Sequence, residues 1–240
     1  MPEPSVRGNR VRPDEVRSMF DRIAPIYDAM NTVMTAGLDA GWRRAATRAT
    51  GLRPGMSALD VACGSGALTR ELARAVGEGG TVIGLDASTA MLRRARRRPV
   101  PPGSAVPRWT TGDALDLPLP DASVDAATIA FGLRNMHDYA RCLAEMARVV
   151  RPGGSVVVLE IATPPRGIGR FVARTWFERV IPVLGRLAGA GSAYGYLPES
   201  VRRYPGPRDV AALLASSGLR DVAWRPLAGG MVTLHAGRRS

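Results

Sequence analysis

The sequence predicts an α/β fold: a Rossmann-like sheet, mostly parallel, with helices on both faces and an antiparallel strand at its C-terminal end. Three observations predict it. Short apolar runs alternate with amphipathic runs of helical period along the chain. The first apolar run closes in a glycine-rich turn, Leu59-Asp60-Val61-Ala62-Cys63-Gly64-Ser65-Gly66, and a helical pattern starts at once. The second closes in an acid, Leu85-Asp86, and the third in Gly112-Asp113-Ala114.

The elements follow in order. Residues 15–30 read as a helix, with Val16, Met19, Phe20, Ile23 and Tyr27 on one face. A second helix covers 39–50, and Pro54-Gly55 ends it before a strand at 57–62. Helix 66–76 stops at Gly77. Strand 81–85 leads to helix 88–98, for which Ser88 is the N-cap. A proline-rich loop spans 99–107, and strand 108–111 follows. Strand 124–131 leads to helix 138–150, which starts at Asp138 and stops at Arg151-Pro152-Gly153-Gly154. The continuous apolar run of strand 155–161 suits a parallel strand buried on both faces. Residues 166–190 break the alternation, and helix 207–217 restores it. Strands 221–226 and 230–236 are joined by Leu227-Ala228-Gly229-Gly230, a link short enough to require antiparallel pairing.

Composition bounds the reading. The chain has 240 residues, 45% of them hydrophobic, enough for one domain with a full core. That domain is expected over 15–240, with N-terminal lid helices at 15–50, a helical cap segment at 163–205 and a disordered N-terminus at 1–14. The 33 basic residues are all arginine, as expected of a GC-rich genome, and the formal charge is +12. An excess of that size points to anionic surroundings without choosing among nucleic acid, phosphorylated ligand and membrane. Cys63 and Cys142 are the only cysteines, and neither has metal-site spacing. The expectation is therefore reduced thiols, no metal and a cytoplasmic protein. No signal peptide is expected in the polar first residues, and no apolar run is long enough to span a bilayer.

Asp60, Asp86 and Asp113 fall along the carboxyl edge of one sheet, where open α/β folds bind ligands. A pyrophosphate dinucleotide would be poorly served by so many acids, and Thr69 stands where the dinucleotide fingerprint has its third glycine. A sulfonium with a free amino group would be well served. The residues therefore point to S-adenosylmethionine. Asp86 is expected on the ribose diol, Asp113 on the adenine amino group, and the amides near Gly64 and Gly66 on the methionine part. Tyr27, Ala62, Ala87, Met91, Gly112, Ala114 and Phe131 complete the expected cofactor pocket.

Tyr27-Asp28-Ala29-Met30-Asn31 with Trp42, and Phe131-Gly132-Leu133-Arg134-Asn135 with Asp138, resemble signatures of the menaquinone/ubiquinone C-methyltransferase family. So do Arg148 to Gly154 with Leu159-Glu160, Tyr194 to Ser200, and Gly229-Gly230 with Leu234-His235. The likeness runs unbroken from about residue 15 to residue 237. It implies a class I methyltransferase sheet that moves a methyl group from S-adenosylmethionine to a ring carbon of a prenylated quinol, here demethylmenaquinol. Thr35, Asp39, Arg151 and Ala162 depart from the family pattern, which usually has Ser, His, Lys and Ser there. The departures keep open a tailoring enzyme of the same family acting on a polyketide or terpenoid.

Within that frame Arg134 and Asn135 are the expected catalytic and substrate-facing couple, able to hold a phenolate through charge-assisted hydrogen bonds. His137 is a candidate proton acceptor, whereas His235, in the last strand, suits a structural role. Trp176, Phe177 and Tyr196 are expected to wall an apolar small-molecule acceptor. The arginine-rich, greasy 166–190 segment suits a cap with one buried face, and also a peripheral membrane contact. A homodimer is a further expectation. An RNA methyltransferase or a non-catalytic binder of the cofactor is the reading from another class. Against RNA, the arginines are spread along the chain, and the strand 124–131 is not followed by the Asn-Pro-Pro-Tyr block usual in enzymes that methylate base amines. No nucleic-acid partner is expected.

Overall fold

Among the described residues seven strands form one sheet: β1 (Ser57–Val61), β2 (Thr81–Asp86), β3 (Arg108–Thr111), β4 (Val124–Ala130), β5 (Val150–Ile161), β6 (Leu219–Leu227) and β7 (Val232–Arg239). The order is β3-β2-β1-β4-β5-β7-β6. The structure is a computed structural model that describes residues 8, 9, 11–163 and 191–240. β1 to β5 are parallel neighbours, and β7 runs antiparallel between β5 and β6. The chain therefore reverses strand order at β1, and ligand-binding loops gather at the carboxyl ends of β1, β2 and β4.

Helices cover both faces. α3 (Asp39–Ala49) and α4 (Ala67–Val76) bury Ala45, Ala46, Leu68, Leu72 and Val76 on one side. On the other, α6 (Tyr139–Val149) and α8 (Pro207–Ser216) bury Leu143, Met146, Val210 and Leu214. Val156 to Leu159 of β5 are almost wholly buried, as a parallel strand covered twice must be. A third cluster joins α1 (Pro13–Ile23) and α2 (Tyr27–Thr35) to α5 (Thr89–Arg97) and α7 (Gly191–Arg203) through Met19, Ile23, Met30, Met91 and Val201.

The expected caps are present. Ser88 Oγ accepts from Met91 N at 3.1 Å, and an Asp138 oxygen accepts from Arg141 N at 2.8 Å. Two local expectations change. The helix read over 15–30 is two helices, because Pro25 offers no N–H and its ring crowds the preceding turn. β5 begins at Val150, so Arg151 to Gly154 belong to a strand bulged against β4. The described part of the expected helical cap holds helix α7, with Pro198 inside it.

The first residues also differ from expectation where they are described. Asn9 is buried, its amide donates to Met136 O at 2.7 Å, and α1 starts at Pro13. A Cβ on Gly8 would fall 2.2 Å from the His137 carbonyl carbon, so this strap lies tight against the loop after β4. No described helix is long and apolar enough to cross a membrane. Among the described residues no His/Cys/Asp/Glu group could hold a metal ion, and both cysteines are free and buried.

Candidate active site

One cavity runs along the carboxyl ends of β1, β2 and β4 and under α1 and α2. Its donor end is walled by Gly64, Asp86, Met91, Asp113 and Leu115, and its far end by Asn135, Met136 and His137. Of the residues singled out from sequence, Tyr27, Ala62, Ala87, Gly112, Ala114 and Phe131 also line it. Val16, Arg17 and Phe20 of α1 complete the wall.

The donor end is built from strand ends. Asp86, the last residue of β2, accepts Gly64 N at 2.7 Å and Ser88 N at 2.8 Å, one on each carboxylate oxygen. Burial pushes this carboxyl up, while the two backbone N–H groups pull it back. Each oxygen keeps a second lone pair for a ligand hydroxyl. Asp113 is exposed and accepts from Leu115 N at 2.9 Å, which fixes its direction. Ala62 and Phe131, just past β1 and β4, have φ of +50° and +58°. A non-glycine residue in this region costs on the order of 1 kcal/mol, and such outliers gather where a binding turn must be held. The two turns touch: a Cβ on Gly132 would lie 2.8 Å from Ala62 Cβ, so only glycine fits there.

Two acidic clasps hold the lid over this end. Asp21 of α1 accepts from Ser88 Oγ at 2.6 Å and Ala90 N at 3.3 Å. Asp28 of α2 accepts from Ser65 Oγ and Arg94 Nε, both at 2.5 Å, and pairs with Arg98 at 3.2 Å. Burial would raise the Asp28 carboxyl, but the Ser65 and Arg94 hydrogen bonds and the Arg98 charge outweigh it and hold it below the usual value. Tyr27, edge-on to Phe20 at 6.0 Å, lies beside Gly64.

Four expected site residues, Asp60, Gly66, Arg134 and Tyr196, are not on the lining. Asp60 is buried beneath it, where it accepts from Thr69 Oγ1 at 2.6 Å and Thr128 Oγ1 at 3.1 Å. Burial pushes its carboxyl up to about 7. Gly66, with φ +75°, makes room for Trp109, whose ring would lie 2.3 Å from a Cβ there. Nor are the Gly64 and Gly66 amides free for a ligand: Gly64 N is spent on Asp86 and Gly66 N on Cys63 O. Arg134 turns inward. Its Nη1 donates to Glu160 Oε1 at 2.7 Å and to Phe131 O at 2.5 Å, and its amide donates to Glu160 Oε2 at 3.1 Å. The buried carboxylate at the end of β5 takes the guanidinium that was expected to face the substrate. Arg134 is thus a positioning residue that braces the Phe131–Asn135 turn.

The far end is polar by long-range assembly. Tyr196 Oη donates to Asn135 Oδ1 at 3.1 Å and accepts from Asn9 Nδ2, which also reaches Asn135 O at 3.4 Å. Burial raises the Tyr196 phenol, which stays a neutral donor at physiological pH. His137 sits exposed on the rim. His235 is buried in β7 with Nε2 on Pro207 O at 2.9 Å, as its structural reading requires. Trp176 and Phe177 lie outside the described residues. Sequence reasoning missed Asn9, Asp21 and the lining role of Phe20. Phe20 was legible on the α1 apolar stripe, but nothing local marks Asn9.

The departures from the family pattern are locally satisfied. Asp39 pairs with Arg43 one helical turn on and accepts from Thr35 Oγ1 at 3.1 Å. Arg43 in turn lies 5.5 Å over the Phe131 ring. Ala162 is buried, its amide bonded to Met231 O at 2.9 Å. Neither Asp39 nor Ala162 lines the cavity.

A sheet in this order, with β7 reversed and an acid closing β2 beside a glycine turn, defines the class I S-adenosylmethionine-dependent methyltransferases. The comparisons narrow the class. The chain belongs to the ubiE/COQ5 methyltransferase family, which matches residues 8–239. It is 39% identical over 226 residues to a demethylmenaquinone methyltransferase of Desulfitobacterium hafniense, covering 93% of this chain and 89% of that one. It is 42% identical over 222 residues to the demethylmenaquinone methyltransferase of Thermus thermophilus, covering 92% and 100%. A solved S-adenosylmethionine-dependent methyltransferase from Aquifex aeolicus superposes with a TM-score of 0.58 at 21% identity, covering 80% and 86%. That last likeness establishes the fold.

Family and fold imply S-adenosylmethionine, and the donor end fits it. Asp86 offers paired acceptor lone pairs for a diol, Asp113 an exposed acceptor, and Leu85, Met91 and Leu115 an apolar slot for a flat ring.

Proposed function

We propose that this methyltransferase binds S-adenosylmethionine at the donor end and methylates a ring carbon of an apolar quinol, demethylmenaquinol, at the far end. One observation carries the reading: the Asp86 carboxylate and the Asn135–His137 segment are walls of a single cavity. The acceptor is taken from the demethylmenaquinone methyltransferases the chain resembles.

When bound, S-adenosylmethionine supplies an electrophilic methyl group on a positively charged sulfur. Asp86 and Asp113 hold it by its hydroxyl and amino groups, and Tyr27 closes over Gly64. Asn135, held in place by Tyr196 behind it, orients the acceptor oxygen. His137 takes the proton of the ring hydroxyl, which moves electron density onto the neighbouring ring carbon; that carbon bonds the methyl as the methyl–sulfur bond breaks, and its own proton then leaves to restore the aromatic ring. Phe20, Phe131 and Met136 keep water out, so most of the acceleration comes from alignment in a dry cleft.

A tailoring enzyme acting on a polyketide or terpenoid is the second reading, motivated by Asp39 and Ala162. Both are accounted for by neighbours away from the cavity, which favours the quinol. The test is methyl transfer from labelled S-adenosylmethionine to reduced short-chain demethylmenaquinol, with the product located by mass spectrometry. Label on the ring carbon supports the proposal. Absence of transfer in a sample that binds S-adenosylmethionine moves the assignment to the tailoring reading.

A further inference from the structure

A second groove lies on the lid, away from the donor residues, between the Ala24–Pro25 turn and four arginines of α5 and its C-cap: Arg93, Arg94, Arg97 and Arg98. The i,i+4 spacings place these guanidinium groups in two rows on one helix face, where like charges repel. Asp28 engages Arg94 and Arg98 at 2.5 and 3.2 Å. Arg93 and Arg97 are exposed. Arg93 has only the neutral Thr89 hydroxyl at 3.5 Å, and Arg97 has no partner among the described residues. With Asp21 and Asp28 set against the four arginines, the groove keeps a positive excess.

Scattered surface arginines in so basic a chain would be solvated and inert. Here they converge on a concavity, and the next loop carries Val100, 37% exposed, and Val106, 77% exposed. Cations beside exposed aliphatic tips match an anionic lipid surface, which takes charge at its headgroups and apolar groups just below them. Single-stranded nucleic acid would call for aromatic stacking platforms. The exposed aromatic nearest that description, Trp224, is on β6 at the opposite edge of the sheet.

We propose that the Arg93–Arg98 groove and the Val100–Val106 loop dock this protein on an anionic phospholipid bilayer. Arg93 and Arg97 hold headgroup phosphates, and the lid faces the membrane. The proposal takes its purpose from the apolar acceptor inferred above, but the binding itself needs no acceptor. It also makes Asp28 a competitor with the membrane for Arg94 and Arg98, so docking loosens one of the two lid clasps.

The test is co-sedimentation of the full chain with phosphatidylglycerol-containing vesicles and with phosphatidylcholine vesicles. Binding to the first alone, falling with salt, is expected. R93Q/R97Q weakens it by about 25-fold, roughly fivefold per arginine. R93K/R97K keeps it. R208Q/R225Q, the same charge loss near β6, stays within about twofold of the parent because of screening. Methylation of a soluble short-chain acceptor is unchanged in all three. The proposal is overturned if R93Q/R97Q binds like the parent, if the β6-side pair loses as much, or if a single-stranded RNA is held more tightly than the vesicles. Sedimentation needs no turnover, so failure of the quinol assignment and failure of docking are separate results.

Discussion

The two ends of the catalytic cavity are held together by different kinds of contact. At the donor end, Asp86 is fixed by Ser88 N and by Gly64 N, 22 residues away, and Asp113 by Leu115 N. These are backbone contacts within neighbouring βα units. At the far end, Asn135 meets Asn9 across 126 residues and Tyr196 across 61, through side chains. A site made from strand ends is fixed as soon as the sheet forms. A site made from a strap, a loop and a cap helix exists only when all three are docked. The far end should therefore be the more sensitive to loss of stability, and the donor end to loss of charge.

The largest expected effect tests the brace between them. Glu160 is fully buried and holds the Arg134 guanidinium, the Arg134 amide and the Ile161 amide. Glu160→Ala strips these donors of their acceptor and leaves a buried cation, which costs about 3–5 kcal/mol. A urea-unfolding midpoint reads it. A loss below about 1 kcal/mol would mean that Arg134 has another partner, and its catalytic reading would return.

Next comes the donor end by itself. Asp86→Asn replaces one of two acceptor oxygens with an amide that opposes a backbone N–H. Hydrogen bonds to a charged group contribute about 1.5–3 kcal/mol, so affinity for S-adenosylmethionine should fall about ten- to hundredfold in calorimetry. The midpoint should move less than in Glu160→Ala. An unchanged affinity would break the assignment of this end.

Tyr196→Phe tests the far end with a smaller change. It removes one hydroxyl that bridges Asn9 and Asn135. The acceptor KM should rise about three- to tenfold, from about 0.5–1.5 kcal/mol per neutral hydrogen bond, with S-adenosylmethionine affinity unchanged. Equal loss of both would show that the two ends are not separable.

The same contrast governs what the sequence could tell. The sheet, the caps at Ser88 and Asp138 and the Asp86 edge are local patterns: apolar runs, a glycine turn, a terminal acid. They were legible because βα units repeat one solution. Asp60 and Gly66 sit in the same motif yet serve packing, because sequence shows which residues reach a strand end but not which side of the turn faces the ligand. Arg134 failed for a related reason. Its partner Glu160 is on a neighbouring strand, and a buried carboxylate outcompetes a solvent-facing role. Asn9 carried no signal, since its burial depends on Met136 and Tyr196 being brought to it.

Asp28 gives the smallest expected effect and the sharpest pH signature. Its carboxyl has a folded-state value below the ordinary 3.8, so the folded state binds a proton less readily than the unfolded chain. Its contribution to stability is then fully present above the unfolded value and is lost as pH falls through the folded one. Because Arg94 and Arg98 are about a third exposed, solvent screening limits the clasp to about 1 kcal/mol or less. Asp28→Asn should lower the unfolding midpoint by a constant small amount at neutral and mildly acidic pH. The gap to the parent should close below the ordinary carboxylate value, as the parent's own Asp28 takes up a proton. Salt should shrink the gap at neutral pH. A gap that persists in acid would mean that Asp28 acts through shape and its Ser65 hydrogen bond alone. The lid would then be held over the donor end by packing, and the contrast between a charge-fixed donor end and an assembly-fixed far end would no longer extend to the lid that covers the donor end.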